Sequence, residues 1–217
     1  MEPVTNGGYA LEPVDDLDPG QVTRVREIYE DGFAPHLRAG FATLTSGREA
    51  DESALALMRG AEPHGFVMLR PLGDSGWMFL RYLVAGQRGH GLGGAMWDQL
   101  MAWLGDRGYS LLVWDVEDPD EPGPGPDELT IRRRRIRFYE RHGGRLLPVR
   151  GYGNPHGDDW TPMRLMAAPV ADGAWPETPA VVAAVYQHRW RLDLDDLRVA
   201  ATEVTASAAP DHNQKGA

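Results

Sequence analysis

The sequence predicts an α/β fold of the α+β type, in which helices pack against a central sheet. Its 217 residues, 42% hydrophobic and 25% charged, suffice for one domain with a substantial core. Short apolar runs typical of strands alternate with segments whose apolar residues recur at helical spacing. The predicted order of elements is β-α-α-β-β-α-β-α-β-β over roughly residues 8–168.

In the N-terminal half, strands are predicted over residues 9–14, 65–70 and 77–84, the last two as a hairpin. Asp18 followed by Pro19 is a typical helix start, because the carboxylate can cap the first turn and proline fits the first helical position. A second helix is predicted over residues 51–59, with Leu55 and Met58 facing inward.

In the C-terminal half, strands are predicted over residues 110–117, 146–149 and 163–167. The helix before them carries Leu92 and Met96 on its apolar face. An arginine-rich helix over residues 128–142 follows a proline-rich loop. Its arginines point in several directions, which indicates a solvated, salt-bridged helix with Asp127, Glu128 and Glu140 as partners.

The most informative segment is the glycine-rich turn between the strand over 77–84 and the helix that follows. Five glycines lie in this short stretch, more than a change of chain direction needs: Gly86, Gly89, Gly91, Gly93 and Gly94. Such turns bind phosphate, because glycines expose amide N–H groups and the helix N-terminus adds partial positive charge. The sequence therefore predicts a phosphate-bearing ligand.

Two ligands compete for this turn. Gly89, Gly91 and Gly94 satisfy the dinucleotide pattern G-x-G-x-x-G, with Asp115 and Glu117 about 20 residues further on as candidate ribose-binding acids. An NAD(P)-dependent oxidoreductase is therefore one alternative. Against it, about 80 residues precede the turn and no βαβ alternation follows it, as a doubly wound sheet would require.

The same turn, written as Arg88-x-x-Gly91-x-Gly93, resembles the signature turn of the GNAT (GCN5-related) N-acetyltransferases, which holds acetyl-CoA. The later block Phe138-Tyr139-Glu140-Arg141-His142-Gly143 resembles the late helix of that family, and one strand separates the two blocks. The resemblance implies the GNAT fold, with a central mixed, mostly antiparallel sheet flanked by helices. Directly before the turn the family has three antiparallel strands, where the sequence indicates two, the hairpin over 65–70 and 77–84.

The resemblance also implies a function and individual roles. The expected reaction is direct transfer of an acetyl group from acetyl-CoA to a small-molecule amine or an amino terminus. Tyr139 would protonate the departing thiolate, since a phenol of pKa near 10 can donate to a thiol of pKa near 8.5. A packed core aromatic is the alternative for it. The cofactor-binding residues would be Leu83, Val84, Arg88, Gly89, His90, Gly91, Leu92, Gly93 and Gly94, chiefly through the backbone, with the Val84 region polarising the thioester carbonyl.

Asp115 and Glu117 are the candidate bases, because they lie two residues apart on one face of a strand. An ammonium acceptor must lose a proton before it attacks a thioester, and a carboxylate at the strand end could take it. Glu117 is the favoured candidate because it lies nearer the strand end. A solvated pair of acids without a catalytic role is the alternative for both.

Composition excludes several function classes. The absence of cysteine rules out disulfides, thiolate metal sites and a cysteine nucleophile, and seven scattered histidines predict no metal. A net charge of −10 disfavours nucleic acid and anionic membranes as partners. The lack of a long apolar run or a secretion signal predicts a cytoplasmic protein, and the preference for arginine over lysine is typical of a GC-rich bacterial genome.

The predicted domain limits are residues 1–168 for the acetyltransferase domain, 169–205 for a C-terminal helical extension and 206–217 for a disordered tail. The extension could cap the acceptor site, form a homodimer interface or cover the sheet. A non-catalytic protein that binds acyl-CoA is a further functional alternative.

Overall fold

Four consecutive strands form an antiparallel meander that begins the sheet. They are β1 (Tyr9–Pro13), β2 (Ser53–Arg59), β3 (Glu62–Pro71) and β4 (Trp77–Ala85), and each pairs with the next along the chain. The computed structural model describes residues 8–35, 38–87, 91–149, 151–156 and 159–193. The β3–β4 hairpin is confirmed, and Gly76 closes its turn at φ 73°, a conformation that favours glycine.

The helix predicted over residues 51–59 is wrong, because β2 occupies this segment. Ala, Leu and Met have high intrinsic helix propensity, but here the backbone pairs with β1 on one side and with β3 on the other. Residues 54–58 are all buried, so β2 lacks the alternation that marks a strand with one exposed face. β2 is the third antiparallel strand that the family resemblance led us to expect before the glycine-rich turn.

The first helix begins as its sequence indicates. In α1 (Pro19–Gly32), Asp18 Oδ1 accepts a hydrogen bond from Gln21 N at 2.9 Å, and Gln21 Oε1 accepts one from Asp18 N at 2.9 Å. This reciprocal capping box satisfies two N–H groups at the helix start. The short helix α2 (Phe41–Leu44) follows, and Tyr29 of α1 is surrounded in the core by Phe33 and by aromatic residues of α2, β3 and β4.

The remaining elements alternate between helix and strand as predicted, with differences near the end. They are α3 (Leu92–Gly105), β5 (Leu111–Glu117), α4 (Pro126–Arg141), β6 (Arg145–Leu146), β7 (Gly153–His156), β8 (Asp159–Pro169) and α5 (Thr178–Ala184). The predicted strand 146–149 is reduced to the two residues of β6, and β7 lies between β6 and β8, where no strand was predicted. A π-helix, Val185–Arg189, continues α5 directly.

The fold is mixed α/β with eight mostly antiparallel strands, which confirms the predicted class. The hydrogen-bonded strand order is β1-β2-β3-β4-β5-β8-β6, and β7 pairs with β8. The chain forms two compact units: the described residues up to Leu112 with Val170–Gly173, and Val113–Pro169 with those from Ala174 onward. The predicted tail 206–217 lies outside the described residues. No helix in the described ranges is long and apolar enough to cross a membrane.

Candidate functional site

The first unit contains the glycine-rich turn, of which Arg88, Gly89 and His90 lie outside the described residues. Gly91 is the N-cap of α3, at φ 73° and ψ 0°, a left-handed conformation that glycine adopts without strain. Among the described residues, no side chain caps this helix. The N–H groups of its first turn, from Leu92 to Gly94, are therefore oriented as a helix N-terminus that can accept an anion.

β4 leads into this turn, and the side chain of Val84 lies in the core. Val84 is only 8% exposed and pairs with Phe66 of β3. Its methyl groups contact Gly32 so closely that any side chain at position 32 would collide with them. The Val84 side chain is therefore not available to a ligand, and contact of a ligand with the backbone of Leu83 and Val84 stays a prediction.

The second unit contains the three predicted catalytic residues, and two of them, Asp115 and Glu117, differ sharply in environment. Asp115 is half-buried on β5, and its Oδ2 accepts a hydrogen bond from the hydroxyl of Tyr152 at 3.4 Å. Burial raises the pKa of Asp115 to about 6, against the lowering effects of the Arg189 charge and of hydrogen bonds from Tyr152 and Asn154. A carboxyl group with this pKa can exchange a proton near neutral pH.

Glu117 has a strong ionic partner. Its Oε2 forms an ion pair with Arg135 of α4. Burial alone would raise the pKa of Glu117, but the charge and hydrogen bond of Arg135 outweigh it, so the pKa lies below its ordinary value. A carboxylate held in this way is a weak proton acceptor. The environment of Asp115 therefore suits a general base better than that of Glu117, which the sequence favoured.

Tyr139 projects from α4 against the ring of Trp114, with ring centroids 4.8 Å apart. Burial raises the pKa of Tyr139 to about 12, and the nearby carboxylates Glu117 and Asp115 raise it as well, while Arg135 acts in the opposite direction. The phenol thus stays protonated throughout the neutral range, as an acid requires. Gly144 leaves room for the Trp114 ring, since a Cβ there would lie 2.9 Å from the indole.

The arginines of α4 hold the proline-rich loop between β5 and α4. Arg132 donates to the backbone oxygen of Asp118 at 2.8 Å, to Glu121 at 2.7 Å and to Glu128 at 3.2 Å. Arg133 donates to the backbone oxygen of Pro119 at 3.3 Å. The helix is salt-bridged as predicted, but most of the partners come from β5 and the loop rather than from the helix itself.

Four residues around Asp115 were not anticipated from the sequence: Tyr152, Asn154, Tyr186 and Arg189. They come from the segment around β7 and from the π-helix, 37 or more positions further along the chain. Tyr186 lies in the predicted C-terminal helical extension 169–205, but nothing in the sequence indicated where that extension would pack. Within the described ranges, no three His, Cys, Asp or Glu side chains are grouped so as to hold a metal ion.

Comparison with known proteins identifies the family to which the sequence belongs. A profile described as "Acetyltransferase (GNAT) family" matches residues 22–143, which is more than half of the chain. No curated protein matches the sequence.

Solved structures share the fold at low sequence identity. A Bacteroides thetaiotaomicron protein assigned to the GNAT family is 20% identical, with a TM-score of 0.62 over 84% of this chain and 99% of that one. An aminoglycoside 6'-N-acetyltransferase complexed with coenzyme A is 18% identical, with a TM-score of 0.57 over 77% and 99%. The Escherichia coli ribosomal-protein-S18-alanine N-acetyltransferase is 17% identical, with a TM-score of 0.53 over 78% and 97%.

Proposed function

Because the chain belongs to the acetyltransferase (GNAT) family, we propose that it transfers an acetyl group from acetyl-CoA to a small-molecule amine or an amino terminus. The observation that carries this proposal is the pair formed by Asp115 and Tyr139. One is a half-buried carboxyl group whose pKa is raised to about 6, and the other is a buried phenol whose pKa is raised to about 12. An acetyl transfer to an ammonium needs one proton acceptor and one proton donor.

In this proposal the turn and β4 bind acetyl-CoA. The N–H groups of Gly91, Leu92, Gly93 and Gly94, with those of Arg88, Gly89 and His90, would hold its phosphates. The backbone of Leu83 and Val84 would align the pantetheine arm. The CoA complex of an aminoglycoside acetyltransferase with this fold supports the choice of ligand.

Asp115 takes a proton from the acceptor ammonium, which leaves the nitrogen lone pair free to attack. The new C–N bond forms at the acetyl carbon while the C–S bond breaks, and Tyr139 donates its proton to the departing sulfur. The amide nitrogen still carries a second proton after the attack. This proton passes to the phenolate and restores the Tyr139 phenol, while Asp115 returns the first proton to solvent, so the cycle is balanced. The absence of cysteine agrees with direct transfer without an acyl-enzyme. Glu117 remains ion-paired with Arg135 and orients α4.

The proposal is tested by binding and turnover together. Calorimetric titration should give micromolar binding of acetyl-CoA and CoA, and none of NADPH. Release of the CoA thiol should then depend on an added amine, screened across aminoglycosides, simple primary amines and peptides with a free amino terminus. Binding of NADPH alone would overturn the proposal in favour of an oxidoreductase. CoA binding without turnover on any amine would favour the non-catalytic alternative.

Replacing Tyr139 with Phe should lower kcat by roughly 100-fold and leave the KM for acetyl-CoA within about two-fold, because only the proton donor is lost. The measurement is steady-state thiol release with the best amine of the screen. Tyr109→Phe, a half-buried tyrosine outside the site, is the matched control and should behave like the wild type. An unchanged kcat in Tyr139→Phe would show that the ring serves only the core.

A further inference from the structure

A chain of contacts links the C-terminal segment to Asp115. Tyr152 precedes β7 and is 1% exposed, and its hydroxyl donates to Asp115 Oδ2 at 3.4 Å. The ring of Tyr152 stacks on Tyr186 of the π-helix, with centroids 5.5 Å apart and planes at 26°. The N–H of Gly153 donates to the Tyr186 hydroxyl at 3.5 Å. Tyr186 is completely buried, so both rings have fixed places.

We propose that Tyr152, held in place by Tyr186 of the C-terminal segment, is a positioning residue that fixes the orientation of the Asp115 carboxylate. The inference rests on the proposed role of Asp115 as the base. It makes residues beyond the family match, which ends at 143, part of the catalytic apparatus. The C-terminal extension thereby has a role in catalysis, which is distinct from covering the sheet or forming a dimer.

Packing alone does not explain this arrangement. A phenylalanine at position 152 would fill nearly the same volume without the cost of burying a hydroxyl, which is on the order of 1–3 kcal/mol when it is unpaired. The hydroxyl has a partner in Asp115, and burial raises the pKa of Tyr152 well above its ordinary value. Tyr152 therefore remains a hydrogen-bond donor at every pH at which the protein would work.

The Tyr152 hydroxyl donates to the Asp115 carboxylate, which several other groups also face. Arg189 and the Asn154 amide stabilise its charged form, and Glu117, which is paired with Arg135, disfavours it. Tyr139 faces the same two carboxylates from α4. A donor aimed at one oxygen stabilises the charged form and also selects one rotamer of the side chain. Removing the Tyr152 hydroxyl should thus make Asp115 harder to ionise while Arg189 and Glu117 stay in place.

The π-helix supplies Tyr186 at the required place. Trp190 N donates to Val185 O at 3.2 Å, Leu192 N donates to Tyr186 O at 3.1 Å, and Arg191 closes the turn at φ 56°. A π-helix and a non-glycine residue at positive φ are both uncommon and both carry an energetic cost. Both features occur next to Tyr186, which stacks on Tyr152. Their cost is consistent with selection of this segment for the position of the Tyr186 ring.

The test is the pH dependence of kcat/KM in Tyr152→Phe. The acidic limb should move up by about one pH unit, so that activity falls about five-fold at pH 6 and stays within about two-fold of the wild type at pH 9. Tyr186→Phe, which keeps the stack and removes the hydroxyl that accepts from Gly153, should shift the limb in the same direction by less. The thermal midpoint and acetyl-CoA binding of both variants should match the wild type.

A purely structural role predicts a different outcome. An equal loss of activity at every pH, or a profile that superimposes on the wild type in both variants, would overturn the inference. Should Tyr152→Phe fail to fold, the shift in Tyr186→Phe decides the question alone. The role of Asp115 itself is tested separately by its own substitution, so a wild-type profile in Tyr152→Phe together with an inactive Asp115 variant rejects only this inference.

Discussion

Asp115→Asn is expected to lower kcat/KM by a factor on the order of 100 to 10,000, the range typical of a lost general base. The amide keeps the size of the carboxylate but cannot accept the proton of the ammonium. In the wild type, kcat/KM should rise with pH through about 6, where the Asp115 carboxyl group ionises, and then level off. The variant should lose this inflection, which a thiol-release assay between pH 5 and 9 would measure.

The same substitution should not destabilise the protein. The folded-state pKa of Asp115 is raised from 3.8 to about 6, so folding disfavours the charged form. The carboxylate therefore costs up to about 3 kcal/mol of stability above pH 6, and this cost disappears as pH falls below 3.8. At pH 8, we expect the thermal midpoint of Asp115→Asn to equal or exceed that of the wild type.

Glu117→Gln is the matched control for the base. It removes the charge that Arg135 neutralises but leaves Asp115 in place, so activity should fall far less than in Asp115→Asn. Comparable losses in the two variants would contradict the assignment of the base to Asp115. Full activity in Asp115→Asn together with an inactive Glu117→Gln would return the role to Glu117.

Glu52→Gln should lower the free energy of unfolding by about 3–5 kcal/mol, because it removes one member of a buried ionic cluster. The Glu52 side chain is 2% exposed, and its Oε1 accepts from Arg70 Nε at 2.7 Å and from Arg81 Nη1 at 2.7 Å. The amide would leave two buried guanidinium groups without their shared counter-charge. Urea unfolding at pH 7.5 measures the effect.

Glu49→Gln is the control for this cluster, since it also pairs with Arg70, at 3.2 Å, but its side chain is 42% exposed. We expect a loss below about 1 kcal/mol. Burial opposes ionisation of Glu52, yet the two arginines hold its pKa below the ordinary value. The stabilisation is therefore present above the ordinary glutamate pKa and is lost as pH falls through the lowered one. Equal losses in the free energy of unfolding in Glu52→Gln and Glu49→Gln would show that burial of an ion pair does not control its contribution to stability.

The sequence predicted those elements whose ends depend on residues a few positions away. Asp18 caps α1 as predicted, and Gln21 completes a capping box, because both partners lie within one turn. β2 could not be predicted in the same way, since its residues favour a helix and only pairing with β1 and β3 makes it a strand. The family pattern indicated that a strand was missing, and the structure identifies which segment supplies it.

The sequence predicted which residues belong to the candidate site better than it predicted the role of each residue. Tyr139, Asp115 and Glu117 stood out because of the motif and the strand pattern. The choice between the two acids depends on Arg135, which reaches Glu117 from a helix 18 positions away. Tyr152 and Tyr186 were beyond prediction, because their mutual contact and that of Tyr152 with Asp115 arise from long-range packing that no local pattern records.

The contact between Trp114 and Tyr139 has a consequence for how the site responds to ionic strength. Gly144 leaves room for the edge of the indole at the end of α4, where Trp114 packs against the Tyr139 ring at 48°. The place of the Tyr139 ring against β5 is thereby held by dispersion forces, which dissolved ions do not screen. High salt would loosen the Glu117–Arg135 pair yet leave this ring contact unaltered, so we expect Tyr139 to keep its place at high ionic strength.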